Sequence, residues 1–425
     1  MVRIPADRER VPIRGEGNML KPRLLVIVFA MLYVAAEVCA SGRESLGLQQ
    51  AVAIALKQNP SVLAARRDVD AAQAKYRGAS AFAHPSISFS PNSSGIATAQ
   101  QFLVLTQPLE INGQRTIRTR IAGSEAQAAR ADASIIERGV INSVARAYWD
   151  IAAAQSIMEV NHASVDYAQA FFATAKRREK AGAVSAAHAI TFEVELEHST
   201  LELASAASEL EKCKSALNAL LGRPVEQDFV LTDALKFTSL AVDPTKLGLL
   251  AQENRPELSE AQAILAARRE GIRAVSITRR PDFSLQMSKT SFHAPISVGV
   301  GLTFSWVDWG SLGQQGSQAR ARAAAQAERL SAMQITVGLD LRAALLDAHR
   351  YETRVCAFQD RILVRAKQLL ELARTGYDAG TTSYPEVLEA LRTYRCVNTE
   401  YLTALANYQK SLGQIAWATG VWPSR

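Results

Sequence analysis

The sequence is poor in the residues that build disulfide frameworks and reactive sites. It has four cysteines, at 39, 213, 356 and 396, and no two have the spacing of a metal-ligand pair. Without Cys39 three remain, and an odd number in an exported chain argues against a disulfide framework. The six histidines (84, 162, 188, 198, 293 and 349) form no H-x-x-x-H or H-E-x-x-H arrangement, and there is no C-x-x-C beside them. Also lacking are G-x-S-x-G, a P-loop and a dinucleotide fingerprint. "GSLGQQGSQ" (Gly310 to Gln318) is glycine-rich, but it follows an alternating strand and opens a long helical pattern, so it reads as a strand-to-helix turn. Glu193, Glu195, Glu197 and His198 crowd one stretch, a grouping as common on solvated helices as in metal sites. No active site, cofactor or metal ligand is expected. The net charge of +7 is not gathered into one segment, which argues against nucleic-acid binding.

Long apolar runs are equally scarce. Only "KPRLLVIVFAMLYVAAEVCASG" (Lys21 to Gly42) holds one, and its apolar core, Leu24 to Ala36, has 13 residues. Lys21 and Arg23 in front and Val38-Cys39-Ala40 behind make it an export signal rather than a membrane-spanning helix. Cleavage is expected after Ala40. The other reading is a lipoprotein acylated at Cys39, with Val38 where a small residue is usual. Residues 1–40 are thus expected to be an N-terminal extension and leader, with translation starting at Met19. No later stretch has 18 consecutive apolar residues. The mature chain is therefore periplasmic, extracellular, or held in a membrane by β-strands.

What the chain does have is repetition. Ala181-Gly182 and Ser185 recur as Ala379-Gly380 and Ser383, at an offset of 198 residues. Pro60 and Pro85 recur as Pro256 and Pro281 at an offset of 196, and Gly113 matches Gly313 at 200. The spacing predicts two halves, 41–240 and 241–425, each running helix, strand, strand, long helix, break, helix. Pro60 and Pro256 suit the first turn of a helix, where the missing N–H costs nothing.

After Pro85 and Pro281 the pattern changes to a period of two. Four segments place Ile87, Phe89, Phe102, Val104, Phe283, Leu285, Met287, Val298, Val300, Leu302, Phe304 and Trp306 on one face, against mostly small or polar neighbours. The second segment, "QFLVLTQPLEI", is apolar on both faces between Phe102 and Leu105. Such alternation fits a barrel wall with lipid outside and water inside. It also fits a sheet with one wet face and one face packed on helices. Four strands do not close a barrel, which takes about eight. Other copies of the chain must supply the rest if a barrel exists.

The remaining sequence is helical at a period of 3.5. Val337, Leu341, Ala344, Ala348, Tyr351, Val355, Phe358 and Ile362 step by four and three, as do Val387, Leu391, Tyr394, Asn398, Tyr401, Leu405, Tyr408, Leu412 and Ile415. Val140, Val144, Ala147, Ile151, Ala154 and Met158 repeat the pattern in the first half. Helices are expected over 114–180 and 314–378, each about 100 Å long at 1.5 Å per residue. Gly182 and Gly380 end them with left-handed caps, Ser185 and Ser383 cap the returning helices, and Glu386 completes a capping box with Ser383.

These elements resemble the TolC-type outer-membrane efflux factors. The residues carrying the resemblance are "SLGLQQAVAIALKQNPSVLAAR", "QPLEINGQR" (Gln107 to Arg115), the paired A-G-x-x-S tips and "GYDAGTTSYPEVLEA". "QPLEINGQR" is similar to the cation-efflux, CzcC-like branch. The resemblance implies a mainly α fold with a small β part, built as a homotrimer. Three sets of four strands would close one 12-stranded barrel in outer-membrane lipid, and long antiparallel helices would continue it as a periplasmic tunnel. It implies a periplasmic adaptor and an inner-membrane pump of the resistance-nodulation-division type as partners. The adaptor would meet the tips at Gly182, Ala183, Val184, Ser185, Gly380, Thr381, Thr382 and Ser383. It also implies a mouth held shut by a Tyr, an acidic residue and an Arg. Tyr377 and Glu389 match the first two, but Thr382 stands at the Arg position, leaving Arg374 or Arg392 as substitutes. Two other readings remain at this stage: an exported coiled-coil scaffold, and a duct for type I protein secretion.

Overall fold

The computed structural model describes residues 44–89, 103–239, 243–290, 295–305 and 308–421. The leader with Cys39 lies outside them, as do Phe102 and Trp306. By contacts the chain divides into a small unit, described at 44–46 and 228–230, and a large one holding everything else. The small unit contains β1 (Glu44–Leu46) and the first two residues of β4 (Phe229–Leu231), the strand with which β1 pairs.

In the large unit the same order of elements occurs twice. The first pass is α1 (Leu48–Gln58), α2 (Pro60–Ser80), β2 (Ser86–Phe89), β3 (Leu103–Leu109), α3 (Gln114–Lys180) and α4 (Ala186–Leu221). The second is α5 (Pro244–Asn254), α6 (Pro256–Thr278), β5 (Asp282–Lys289), β6 (Ser297–Thr303), α7 (Ser311–Ala357), a π-helical turn (Phe358–Ile362), α8 (Leu363–Ala379) and α9 (Tyr384–Thr419). Local chemistry sets the boundaries. Asn59 caps α2, its Oδ1 accepting from the Ser61 and Val62 N–H groups at 2.9 and 3.3 Å, with Pro60 as first helical residue. Arg255 takes the same place before Pro256 and is buried. Its guanidinium is 3.1 Å from Glu257, 2.9 Å from Asp340 on α7 and 4.2 Å from the centre of the Trp417 ring on α9. One buried cation thereby joins three helices.

Helix α3 spans the 67 residues that the sequence predicts. It starts after Gly113, whose φ of +88° is left-handed. The second long helix differs from expectation in two ways. It starts at Ser311, behind Gly310 with φ +93°, so Gly310 and not Gly313 is the counterpart of Gly113. It also contains the π turn, which adds a residue to one turn. The buried seam therefore passes from Phe358 to Ala366 and Leu370, and Ile362, expected on that seam, is exposed. Elsewhere the seam lies where the 3.5 period places it: Val337, Leu341, Ala344, Ala348 and Val355 are buried on α7, and Val387, Leu391, Leu405, Tyr408 and Ile415 on α9.

Two further glycines close the returning helices. Gly222 after α4 and Gly420 after α9 have φ of +73° and +75°. A Cβ would lie 2.6 Å from the Gln58 carbonyl oxygen at the first and 2.7 Å from the Asn254 carbonyl oxygen at the second. Gly222→Ala and Gly420→Ala are each expected to destabilise the chain by at least about 2 kcal/mol, combining left-handed strain with displaced backbone. Gly182→Ala, with φ +71° and open space around it, should cost only about 1 kcal/mol. Thermal unfolding of the three variants checks the ranking. Equal losses would mean that backbone crowding at 222 and 420 contributes nothing.

Candidate functional site

The four strands form one antiparallel sheet in the order β2-β3-β5-β6. Its register sorts the side chains by face. Ile87 lies opposite Leu105, Leu105 opposite Met287, and Met287 opposite Val298. Phe283, Leu285, Val300, Leu302, Phe89, Leu103 and Leu109 share that face, with Gln107 opposite Leu285 and Lys289 opposite Leu103 as its polar members towards the two ends of β3. Most of these side chains are exposed, and Phe304 just past β6 is exposed too. The other face carries Ser86, Ser88, Thr106, Ser284, Gln286, Ser288, Gly299, Gly301 and Thr303. It is crowded at one point: a Cβ on Gly301 would be 2.6 Å from both the Ser284 hydroxyl and the Gln286 amide.

Val104, expected on the apolar face, belongs to the other one, between Ser88 and Ser288. Leu103, Leu105 and Leu109 take the apolar positions of β3 instead. The run Leu103-Val104-Leu105 is apolar in either phase, so pairing with β2 and β5 decides the matter. β2 and β6 are the two edges of the sheet.

"QPLEINGQR" anchors this sheet to the helices. The Gln107 amide donates to the Ala83 carbonyl at 2.8 Å. The Asn112 amide donates to the Pro281 carbonyl at 2.7 Å, and the Gln114 amide to Asp282 at 2.8 Å, both across to the second half. Glu110 pairs with Arg118, whose guanidinium also donates to the Ala79 and Ala81 carbonyls.

The far ends of α3/α4 and α8/α9 form the second part of the site. Gly182 and Gly380, with φ +71° and +81°, turn the chain. Ala183 donates back to the Arg178 carbonyl, and the N–H groups of Thr381 and Thr382 donate to the Gly376 carbonyl at 2.8 and 3.1 Å. Val184 is half-buried in the first turn. Ser383 and Glu386 form the expected capping box, with the Ser383 N–H donating to Glu386 at 3.3 Å. Ser185 has the extended backbone of a cap but makes no side-chain capping bond; His188 stands where a Glu would complete a box.

Tyr377, Thr382 and Glu389 are not brought together. Tyr377 is buried among Phe171 and Phe192, whose ring centres lie 6.2 and 5.3 Å away. Among the described residues its hydroxyl has no hydrogen-bond partner, and burial raises its pKa, against the lowering effect of Arg178. Thr382 folds onto Gly376, where a Cβ would collide with it. Glu389 is exposed. The arginine at Tyr377 is Arg178, from the first hairpin: it donates to the Tyr377 carbonyl at 2.8 Å, with its guanidinium 5.3 Å from the ring centre. Arg392 instead reaches across to Glu195 on α4 at 2.7 Å, and Glu195 is buried. That contact removes Glu195 from the acidic grouping around His198. Among the described residues no three His, Cys, Asp or Glu side chains gather as a metal site. No described helix is long and apolar enough to cross a membrane.

Residues 51–223 and 247–421 match the family of outer membrane efflux proteins. The cobalt-zinc-cadmium resistance protein CzcC of Cupriavidus metallidurans is 25% identical over 372 residues, covering 85% of this chain and 88% of that protein. The pyoverdine export outer membrane protein OpmQ of Pseudomonas aeruginosa is 23% identical over 324 residues, covering 73% and 68%. The crystal structure of the Campylobacter jejuni CmeC outer membrane channel superposes with a TM-score of 0.77 at 16% identity, covering 88% of this chain and 85% of that one. With both passes of its strand-and-helix pattern matched, this chain belongs to the outer membrane efflux protein family and is an efflux channel of the outer membrane with a large periplasmic portion.

Proposed function

We propose that the chain is the outer-membrane conduit of a tripartite system exporting heavy-metal cations, and that it works as a homotrimer. The observation that carries the conduit reading is the sheet. An exposed apolar face, a small polar face and two edges suit one segment of a wall between lipid and water. Three copies joined edge to edge would give twelve strands, enough to enclose an aqueous passage. In this assembly Ile87, Phe89, Leu103, Leu105, Leu109, Phe283, Leu285, Met287, Val298, Val300, Leu302 and Phe304 face lipid. The recurrence of element order along the chain is read as an internal duplication, so the twelve strands and twelve long helices are near-equivalent around the axis.

The tips are the periplasmic mouth. A conduit supplies no energy, so a pump of the resistance-nodulation-division type and a periplasmic adaptor do. The adaptor needs only to bind the opened tips more tightly than the closed ones to shift a two-state equilibrium. The tip glycines Gly182 and Gly380, with the residues that follow them, offer it two like-shaped turns. The metal cargo is supported by the similarity to CzcC and by "QPLEINGQR". The pyoverdine exporter among the relatives supplies the competing cargo, an organic solute.

Deleting the gene and challenging the strain with zinc, cobalt, copper and lipophilic drugs tests the cargo. Lost resistance to the metals alone is the expected result; lost resistance to drugs alone removes the metal reading and leaves the channel. The native mass of the detergent-extracted protein, and its conductance in a lipid bilayer, test the trimeric conduit separately.

A further inference from the structure

The positive charge of the chain is spread thinly along the sequence, but the fold gathers most of it at one level. Every strand of the four-stranded sheet meets a helix at the same end: α2 leads into β2, β3 into α3, α6 into β5 and β6 into α7. Within about two helical turns of these junctions, residues 73–85, 110–121, 272–282 and 305–318 carry eight Lys or Arg and three Asp or Glu. That excess of five is most of the net +7 of the whole chain.

Part of it is neutralised internally. Arg118 pairs with Glu110, Lys75 with Glu125 at 2.7 Å and Arg273 with Glu270 at 2.6 Å. Arg77, Arg115, Arg279 and Arg280 form no ion pair among the described residues. Arg77, Arg279 and Arg280 are exposed. Helix stability does not explain Arg115. It stands in the first turn of α3, where a cation opposes the helix dipole and where α3 has no acidic residue.

Large apolar side chains stand exposed at the same junctions. Phe82, before β2, is 78% exposed, and Ile111, after β3, is 66% exposed. Trp309, between β6 and α7, is fully exposed at φ +53°, the one positive-φ residue other than glycine among the described residues. Left-handed backbone is strained for a tryptophan, a cost that a contact outside the chain can offset.

Hydrogen bonds tie three of the junctions together. The Ala83 N–H donates to Glu110 at 3.3 Å, which brings the segments of Phe82 and Ile111 side by side. The Asn112 and Gln114 amides donate to Pro281 and Asp282, which brings the start of α3 against the segment that follows Arg279 and Arg280. The Arg115 guanidinium lies 4.3 Å from the centre of the Phe82 ring. A guanidinium held over a ring keeps its fork of N–H groups for a second partner, and that fork matches a phosphate.

We propose that these junctions bind anionic phospholipids at the periplasmic face of the outer membrane, with Arg77, Arg115, Arg279 and Arg280 on the lipid phosphates and Phe82, Ile111 and Trp309 among the groups just above them. The apolar row of the sheet ends at this level, where Leu109, Phe283 and Leu302 stand across from one another. A second copy of the chain does not satisfy the charge, because it brings the same basic junctions. Three copies would concentrate about 15 positive charges there. A soluble acidic partner would leave the apolar side chains in water. A layer of anionic headgroups above which acyl chains begin meets both needs. The assignment rests on the conduit reading and adds to it a preference for lipid charge, which a barrel wall does not by itself require.

Titrating the detergent-extracted protein with dioctanoyl phosphatidylglycerol, dioctanoyl phosphatidylcholine or inorganic phosphate tests it. Native mass reads the bound lipid, and thermal unfolding gives a second readout. Phosphatidylglycerol is expected to bind and to raise the unfolding temperature, more weakly in high salt, while phosphatidylcholine and inorganic phosphate at the same concentration do neither. Removing an arginine from an anionic surface should cost about fivefold in affinity, so Arg115→Gln weakens phosphatidylglycerol binding by that factor and Arg279→Gln combined with Arg280→Gln by about 25-fold. Arg361→Gln, on the π turn and well along the rod from the junctions, should bind as the wild type does. Equal binding of the two lipids by the wild type, stabilisation by inorganic phosphate as large as that by phosphatidylglycerol, or arginine variants that keep full affinity each overturn the assignment. A protein recovered in the soluble fraction without detergent fails the conduit reading instead, before any lipid is added.

Discussion

Val300→Lys is expected to keep the protein out of the outer membrane, while Gly299→Ser, one residue away, leaves it there. The two positions lie on opposite faces of β6. Val300 faces Leu285 in the apolar row, and Gly299 faces Gln286 in the polar one. A lysine on the lipid side of a membrane barrel costs about 2–4 kcal/mol near the bilayer centre. Three copies would bring that to about 6–12 kcal/mol per assembly, comparable with the whole stability of a typical folded domain. At Gly299 nothing lies within 4 Å of an added Cβ, so a serine hydroxyl enters open space on a face already made of hydroxyls. Gly301→Ser is not an equivalent control, because its Cβ would meet Ser284 and Gln286. Fractionation of membranes, followed by native mass measurement, gives the answer. A Val300→Lys protein that inserts and assembles as the wild type does would place water rather than lipid against the apolar row.

Much of the architecture is legible in local sequence, and the failures have a common cause. Helix α3 runs from Gln114 to Lys180 because Gly113 and Gly182 supply left-handed turns at its two ends, and such glycines are visible without any structure. The π turn is not visible. Val355, Phe358 and Ile362 keep the three-and-four spacing, so one lengthened turn leaves no mark on the pattern while it rotates Ile362 out of the seam. Val104 is ambiguous for the same kind of reason: β3 is apolar in both phases, and only Ser88 and Ser288 across the ladder reveal its face. At the tips the turns are legible and the side-chain partners are not. Arg178 and Tyr377 are 199 residues apart, and Glu195 and Arg392 are 197 apart. Neither pairing has a local signature. The resemblance points to Tyr377 as part of a polar lock; within one copy and among the described residues its hydroxyl has no partner, and the hairpins are tied by Arg178 to the Tyr377 carbonyl and by Arg392 to Glu195.

That tie sets the second expected result: Arg392→Leu should loosen the tips, and Glu195→Leu combined with Arg392→Leu should separate stability from closure. The Glu195 side chain is 4% exposed and its carboxylate lies 2.7 Å from Arg392. Deleting the arginine leaves a buried carboxylate without its counter-ion; because the Arg392 side chain is itself 57% exposed, water screens the pair and the change is about 1–2 kcal/mol. Replacing both partners by leucine removes the stranded charge, and apolar substitutes for a buried pair are often neutral or stabilising. The double variant should therefore regain most of the lost stability. The link between α4 and α9 does not return with it, because two leucine side chains make no directional bond. If the pair holds the mouth closed, bilayer conductance in the resting state should be raised in both variants, while the thermal defect is confined to the single one. The alkaline limit follows from Arg392. Its hydrogen bond and charge contact with Glu195 hold the guanidinium above its usual value, so above neutral pH the tie persists until pH rises through the arginine's own range. Conductance of the wild-type channel should accordingly show no opening from this pair in mildly alkaline buffer. An Arg392→Leu channel as quiet and as stable as the wild type would mean that the buried carboxylate is neutralised by another route and that closure rests on the aromatic cluster around Tyr377.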